Sequence, residues 1–311
     1  MITEIVSYKK FGRCLRISNG KLEAYITVDV GPRLIKFNCE GMENMMFNDD
    51  ELQRFVDVSS SFGEGAKWRT YGGHRMWVSP EEMPLTYYPD CNPVDYSVEE
   101  ADGKTTVTFV PPLQRLTDLQ HKWVVTVEEG KSQLILDHYL TNKGKETVNK
   151  GIWGITVTDI NGIAVLKQPE RNTALLPDRL VAFWPYTRMN DERILLGEKY
   201  IAVQQDPADT QVPAKIGYTN VEGRLYCFNK GQAMSIGYTP DYENGAYPDF
   251  NVSTEIYTNK AILEIETLGH IGNIAPDETV THREVWSVVP CDEKPALEEE
   301  SIDKAMKKIF G

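Results

Sequence analysis

The sequence predicts an all-β protein: a large antiparallel β-sandwich with a C-terminal helix. Three observations predict it. Short segments of alternating apolar and polar residues recur through most of the chain, split by Gly, Pro, Asn and Asp. Asn19-Gly20 sits between two such segments, the strongest short hairpin signal. Helical spacing of apolar residues is clear only near the end. The 311 residues can bury a sizeable core, and sandwiches of this order occur as one unit. The expected division is a sandwich over residues 1–290 and a helical tail over 291–311 packed on it.

The elements follow in order. Cys14–Ser18 and Lys21–Val28 form the first hairpin, Gly31-Pro32 breaks the chain, and Arg33–Cys39 is a third strand. Asp49–Val56 reads as a short helix, and Ser59–Gly65 as a Ser/Gly-rich loop. Strands return at Thr105–Val110, His121–Glu128, Gln133–Leu140 and Gly151–Val157. In Gln133–Leu140, alternation sets Leu134, Leu136, His138 and Leu140 on one face. The second half continues with Arg179–Trp184, Lys199–Gln204, Ala214–Tyr218, Arg224–Phe228, Ala233–Tyr238, Val252–Tyr257, Ile262–Thr267 and Val280–Val288. After Pro295, Leu297, Ile302, Ala305, Met306, Ile309 and Phe310 recur at helical spacing, with acids early and lysines late.

Thirty-three Lys and Arg against 46 Asp and Glu give a net charge of −13. Such a surface repels nucleic acid and anionic membranes and suits a neutral ligand. The five cysteines, Cys14, Cys39, Cys91, Cys227 and Cys291, are odd in number and widely spaced, with no CxxC. Reduced thiols and a cytoplasmic protein are expected. Residues 1–7 lack the pattern of a signal peptide, and no apolar run is long enough to span a bilayer. Nothing in the sequence sets the oligomeric state.

The densest chemistry lies at Trp68–Glu82, where Trp68, Tyr71, His74, Arg75, Trp77, Glu81 and Glu82 surround Gly72-Gly73. Aromatic faces suit the apolar face of a sugar ring and the polar groups suit its hydroxyls. The same composition fits a Gly-rich strand edge whose aromatics cap the core. A second concentration lies on one hairpin. Glu255 shares a face with Ser253 and Tyr257, and Glu264 shares a face with Glu266, across Asn259-Lys260. Acids are depleted in strands, so three on adjacent strands suggest a cavity lined with carboxylates that shift one another's pKa. A solvated sheet face alternates in the same way. The loop Asp241–Phe250, which contains Asp249, is also rich in aromatics and acids. There is no GxSxG, P-loop or HExxH, and no two of the five histidines stand four apart on a helix, so neither nucleophile nor metal motifs are expected.

Taken together these pieces resemble the galactose mutarotase-like superfamily, which contains aldose 1-epimerases. The resemblance rests on Leu22–Thr27 leading to Gly31-Pro32 and Arg33–Phe37, on Tyr139–Asn142 before Gly151–Trp153, on Leu263–Glu266 followed by Ile274–Glu278 and Glu284–Trp286, and on Tyr71–Glu81, which is closest to an uncharacterised branch. It implies a supersandwich with a carbohydrate cleft on one sheet and, in epimerase members, a Glu base on the anomeric hydroxyl and a His acid on the ring oxygen, with no cofactor. By position the base falls on Glu264 or Glu266. The first histidine region falls near His74, with Arg75 as a hydroxyl ligand. The second histidine is expected after the Thr-Asn element, where Lys143 stands instead, and His138 is the nearest. The expected site is therefore Glu264, Glu266, His74 and His138 for catalysis, with Arg75, Trp77, Glu81, Asp249, Glu255 and Tyr257 for sugar binding. The expected function is an aldose 1-epimerase-like isomerase acting on a small carbohydrate. The alternatives are a non-catalytic carbohydrate-binding or sensing protein, and a sugar lyase or hydrolase on the same scaffold.

Overall fold

The computed structural model describes residues 1–208 and 212–311. Two large sheets face one another. The first has eleven strands. Its centre runs Leu34–Cys39, Gly73–Ser79, Val148–Thr158, Ile262–Leu268, Thr254–Asn259 and Ala214–Tyr218 in spatial order. Its neighbouring pairs are antiparallel. The second has ten strands, with Gln232–Gly237, Thr279–Pro290, Gln133–Asn142 and Leu119–Glu128 adjacent near its middle. A separate two-stranded ribbon pairs Phe55–Asp57 with Lys67–Arg69.

Alternation along each strand sorts the side chains. Met76 and Val78 of Gly73–Ser79 join Leu134, Leu136, Leu140, Trp123 and Trp286 of the opposite sheet in the main core. Leu134, Leu136 and Leu140 have no exposed surface, and each such burial contributes roughly 1.5–3 kcal/mol. Trp77 points the other way, into an aromatic cluster with Trp153, Ile155, Val157 and Leu268 on the outer face of the first sheet.

The helix Glu299–Phe310 lays Ile302 and Met306 on the outer face of the second sheet, against Ile163, Val165 and Phe228. Glu299 and Glu300 in its first turn and Lys307 and Lys308 in its last complement the helix dipole. Its presence explains why the strand Ile163–Lys167 has no readable alternation. Ile163 and Val165 meet the helix while Ala164 and Leu166 meet the core, so both faces are apolar.

One expectation is corrected here, and one alternative reading fails. Asp49–Val56 is not a helix. Asp49 Oδ2 accepts the backbone N–H of Arg54 at 2.7 Å, Leu52 takes a φ of 54°, and the chain turns into the strand Phe55–Asp57. A single helical turn lies instead at Ser59–Phe62, inside the expected loop. The Gly-rich stretch is not a sheet edge either: Gly73–Ser79 is a wholly buried strand between Leu34–Cys39 and Val148–Thr158. Its glycines serve close backbone approach. A Cβ on Gly72 would stand 2.0 Å from the Phe47 carbonyl oxygen, and one on Gly73 2.3 Å from that of Leu34.

All five cysteines are free, four of them buried. Among the described residues no helix is long and apolar enough to cross a membrane.

Candidate functional site

A cleft of about 400 Å³ opens on the outer face of the first sheet. Register builds its floor. Ile155 pairs with Arg75 on one side and Glu266 on the other, and Glu266 pairs with Glu255. One step along, Val157 pairs with Glu264 and Glu264 with Tyr257; one step back, Trp77 pairs with Trp153. Trp68 from the two-stranded ribbon, Tyr87 and Glu81 from the segment after Ser79, and Trp184 and Tyr186 complete the wall. Trp77 is packed at 5.2 Å from Trp68, 5.3 Å from Trp153 and 4.9 Å from Tyr87, centroid to centroid.

The charged groups are tightly arranged. Lys215 reaches in from Ala214–Tyr218, with Nζ 2.6 Å from Glu255 Oε2 and 3.0 Å from Glu266 Oε2. The Trp153 indole N–H also donates to Glu266 Oε2, at 2.9 Å. The Lys215 ammonium lies 4.8 Å from the ring centres of both Trp153 and Trp184. Glu255 is fully buried beneath Lys215, and burial drives its carboxyl well above the usual range against the pull of the ammonium. Lys215 in turn is held protonated: Glu266 and Glu255 outweigh the burial that opposes its charge. Burial, with Glu266 adding to it, pushes Glu264 up to about 8, while Lys215 and Arg75 pull it down. Arg75 stacks over Trp68 at 4.4 Å and donates from Nη2 to the Arg69 carbonyl at 2.6 Å. Four polar atoms of lining residues, Trp68 Nε1, Trp77 Nε1, Arg75 Nη1 and Glu266 Oε1, are buried without a hydrogen-bond partner.

Of the expected site residues, Arg75, Trp77, Glu81, Tyr257, Glu264 and Glu266 lie together along this cleft. Glu255 belongs to the same network but sits behind the lining, holding Lys215. Asp249 is exposed on the turn Pro248–Asn251 at a φ of 51°, outside the lining. His74 and His138 are the correction. Both are fully buried between the sheets, Nε2 to Nε2 at 2.8 Å, on the opposite side of the first sheet from Arg75 and Glu264. Burial holds both rings neutral, with His138 taken down to about 3, so neither has the proton or the access an acid in the cleft needs. Among the described residues lining the cleft there is no histidine.

Sequence reasoning missed Lys215, Trp184, Tyr186 and Tyr87. Lys215 carried a signal. It is the one charge in Ala214-Lys215-Ile216-Gly217-Tyr218, opposite Ile216, and lysine is as unusual in a buried strand as the glutamates that did draw notice.

No family profile and no curated protein matches the sequence. Solved structures do match in fold. A candidate aldose 1-epimerase from Klebsiella pneumoniae superposes with a TM-score of 0.63 over 99% of this chain and 86% of that one, at 11% identity. The chain has the galactose mutarotase-like fold. A candidate mutarotase from Salmonella typhimurium gives 0.53 at 10% identity, over 89% of this chain and 90% of the other. A TPR-domain containing protein from Parabacteroides distasonis gives 0.59 at 15% identity; 94% of this chain matches, but it spans only 51% of that protein. At these identities the likeness carries the architecture and no residue roles.

Proposed function

We propose that the cleft binds a carbohydrate and catalyses an epimerase-type opening and reclosure of the sugar ring, with carboxyl groups in both proton-transfer roles. The observation that carries the reading is an aromatic-walled space of about 400 Å³ with Arg75, Lys215, Glu264 and Tyr257 along it. A ligand with several hydroxyls matches the donors and acceptors of such a lining. The aromatic walls take its C–H faces.

The chemistry needs one group to remove the anomeric hydroxyl proton and another to protonate the ring oxygen. Glu264, with its pKa near 8, carries a proton at neutral pH and is the acid. Glu266, on the same strand face as Glu264, is assigned the base, with its Oε2 held by Lys215 and the Trp153 indole. The ring opens to the aldehyde, C1 turns about the C1–C2 bond, and the two protons return. The histidine expected as acid has no part in this.

The absence of histidine from the lining favours a second reading, a binding or sensing protein with no turnover. Polarimetry of freshly dissolved α-anomers across an aldose panel, run beside calorimetric binding of the same sugars, separates the two. Acceleration over buffer supports the enzyme. Binding without acceleration supports the second reading, and neither binding nor acceleration for any sugar rejects a carbohydrate function.

A further inference from the structure

We infer that the interior of the sandwich holds a metal site, with His74 Nε2, His138 Nε2 and the Glu284 carboxylate as ligands for a divalent ion of the zinc class. The three come from different strands. His74 stands on Gly73–Ser79 of the first sheet; His138 and Glu284 stand on the paired strands Gln133–Asn142 and Thr279–Pro290 of the second. All three are fully buried, and their ligating atoms lie within 4.8 Å of one another. His74 Nε2 is 2.8 Å from His138 Nε2 and 3.6 Å from Glu284 Oε2. Two imidazoles and one carboxylate form a recurring zinc donor set, in which a water takes the fourth position of the ion.

Each ligand is braced by a second partner, as metal-bound histidines and carboxylates usually are. His138 Nδ1 donates to the backbone carbonyl of His282 at 3.1 Å, which turns the Nε2 lone pair inward. His74 Nδ1 meets Thr156 Oγ1 at 2.9 Å. The Glu284 oxygens accept from Thr267 Oγ1 at 2.5 Å and from the Trp286 indole N–H at 2.8 Å. The facing strand makes room for them. A Cβ on Gly154 would lie 2.5 Å from Glu284 Oε1 and 3.2 Å from His74 Cε1.

Without metal, one proton lies between the two Nε2 atoms. With it, that proton moves to His74 Nδ1 and is donated to Thr156 Oγ1, and both Nε2 lone pairs turn to the ion. Zinc–nitrogen bonds of roughly 2.0–2.1 Å at a tetrahedral angle set two nitrogens about 3.4 Å apart. The rings therefore part by roughly half an ångström. The ion ties the strand that carries Arg75 into the cleft to the opposite sheet, so its role is structural. No sequence motif announces it, because the ligands are far apart in the chain and meet only through sheet packing.

The test is to express the full chain in minimal medium supplemented with Zn²⁺ or with Co²⁺, exchange it into metal-free buffer, and count metal by elemental analysis. About one ion per chain is expected, with the Co²⁺ protein showing the intense visible absorption of four-coordinate cobalt. His138→Gln and Glu284→Gln should each lower the content at least tenfold. A native protein with less than about a tenth of an ion per chain overturns the proposal, and so does full retention in both variants. Should the variants not fold, the native protein decides: one Co²⁺ with a four-coordinate spectrum supports the site, while a six-coordinate aqueous-type spectrum rejects it.

Discussion

His74 and Arg75 are consecutive residues of one strand and face opposite sides of the same sheet. Arg75 lines the cleft, stacked on Trp68, whereas His74 meets His138 between the sheets. This relationship divides the polar chemistry of the protein in two. Glu264, Glu266 and Lys215 lie outside on the cleft floor, and His74, His138 and Glu284 lie inside. A mechanism that pairs His74 with Glu264 would need a proton to cross the sheet.

Lys215→Met should be strongly destabilising. Removing one partner of a buried ion pair typically costs about 3–5 kcal/mol, because the remaining charge is left unpaired. Burial already works against the charge of Glu255, so the loss should fall near the lower end. Urea unfolding at neutral pH measures it. The double substitution Lys215→Met with Glu255→Gln should lose less than Lys215→Met alone. A larger loss in the double variant would contradict the network described.

The contribution of Glu264 to stability should fall as pH rises from about 5 to about 8. Glu264 has an ordinary value of 4.5 and a folded value of about 8. Between the two, the folded state holds a proton that the unfolded state has released. The stabilisation is complete below the lower value and is lost through the upper one. While only the folded state holds that proton, each pH unit costs about 1.4 kcal/mol. Urea midpoints of the native protein, taken relative to Glu264→Gln at the same pH, should decline from pH 5 through 6.5 to 8; the buried histidines, whose loss of stability below pH 6.5 has the opposite sign, act alike in both proteins and cancel.

Gly73→Ala should cost about 2 kcal/mol or more. The residue has a φ of +65°, and its added Cβ would lie 2.3 Å from the backbone oxygen of Leu34, which cannot move aside as a side chain can. Gly20→Ala is the control: its φ is also positive but nothing lies within 4 Å, so it should lose less. Thermal unfolding of both variants checks the difference.

Much of the fold was legible because alternation and turns are local. The hairpin at Asn19-Gly20 and the strand Ala214–Tyr218 were read directly. Ile163–Lys167 was not, because a helix nearly 140 residues later covers its second face. Part of the site was legible too. The facing of Glu255, Glu264 and Glu266 followed from one hairpin, and the structure pairs Glu255 with Glu266. His138 shared a face with Leu134, Leu136 and Leu140, which already placed it in the core, and His74 alternated with Arg75. The composition of Trp68–Glu82 masked that geometry, because residue types were weighed there before strand parity. Lys215 could be tied to the glutamates only through the pairing of Ala214–Tyr218 with Thr254–Asn259, which no local pattern specifies.

Glu264→Gln should slow ring opening sharply while sparing sugar binding. Glutamine keeps the shape and a hydrogen-bond donor but has no proton to give the ring oxygen. General acid–base steps contribute roughly 10²–10⁴-fold, so kcat should fall within that range with little change in KM. The native rate should be level from about pH 6 to 7 and decline above about 8, as Glu264 loses its proton. Glu266→Gln removes the acceptor and should lower kcat on the same scale. It also loosens Lys215, so its binding should suffer more than that of Glu264→Gln. Polarimetric rates across pH for the native protein and both variants decide the assignment. An undiminished rate in Glu264→Gln, or a native rate still rising past pH 9, would show that the proton on the ring oxygen comes from elsewhere.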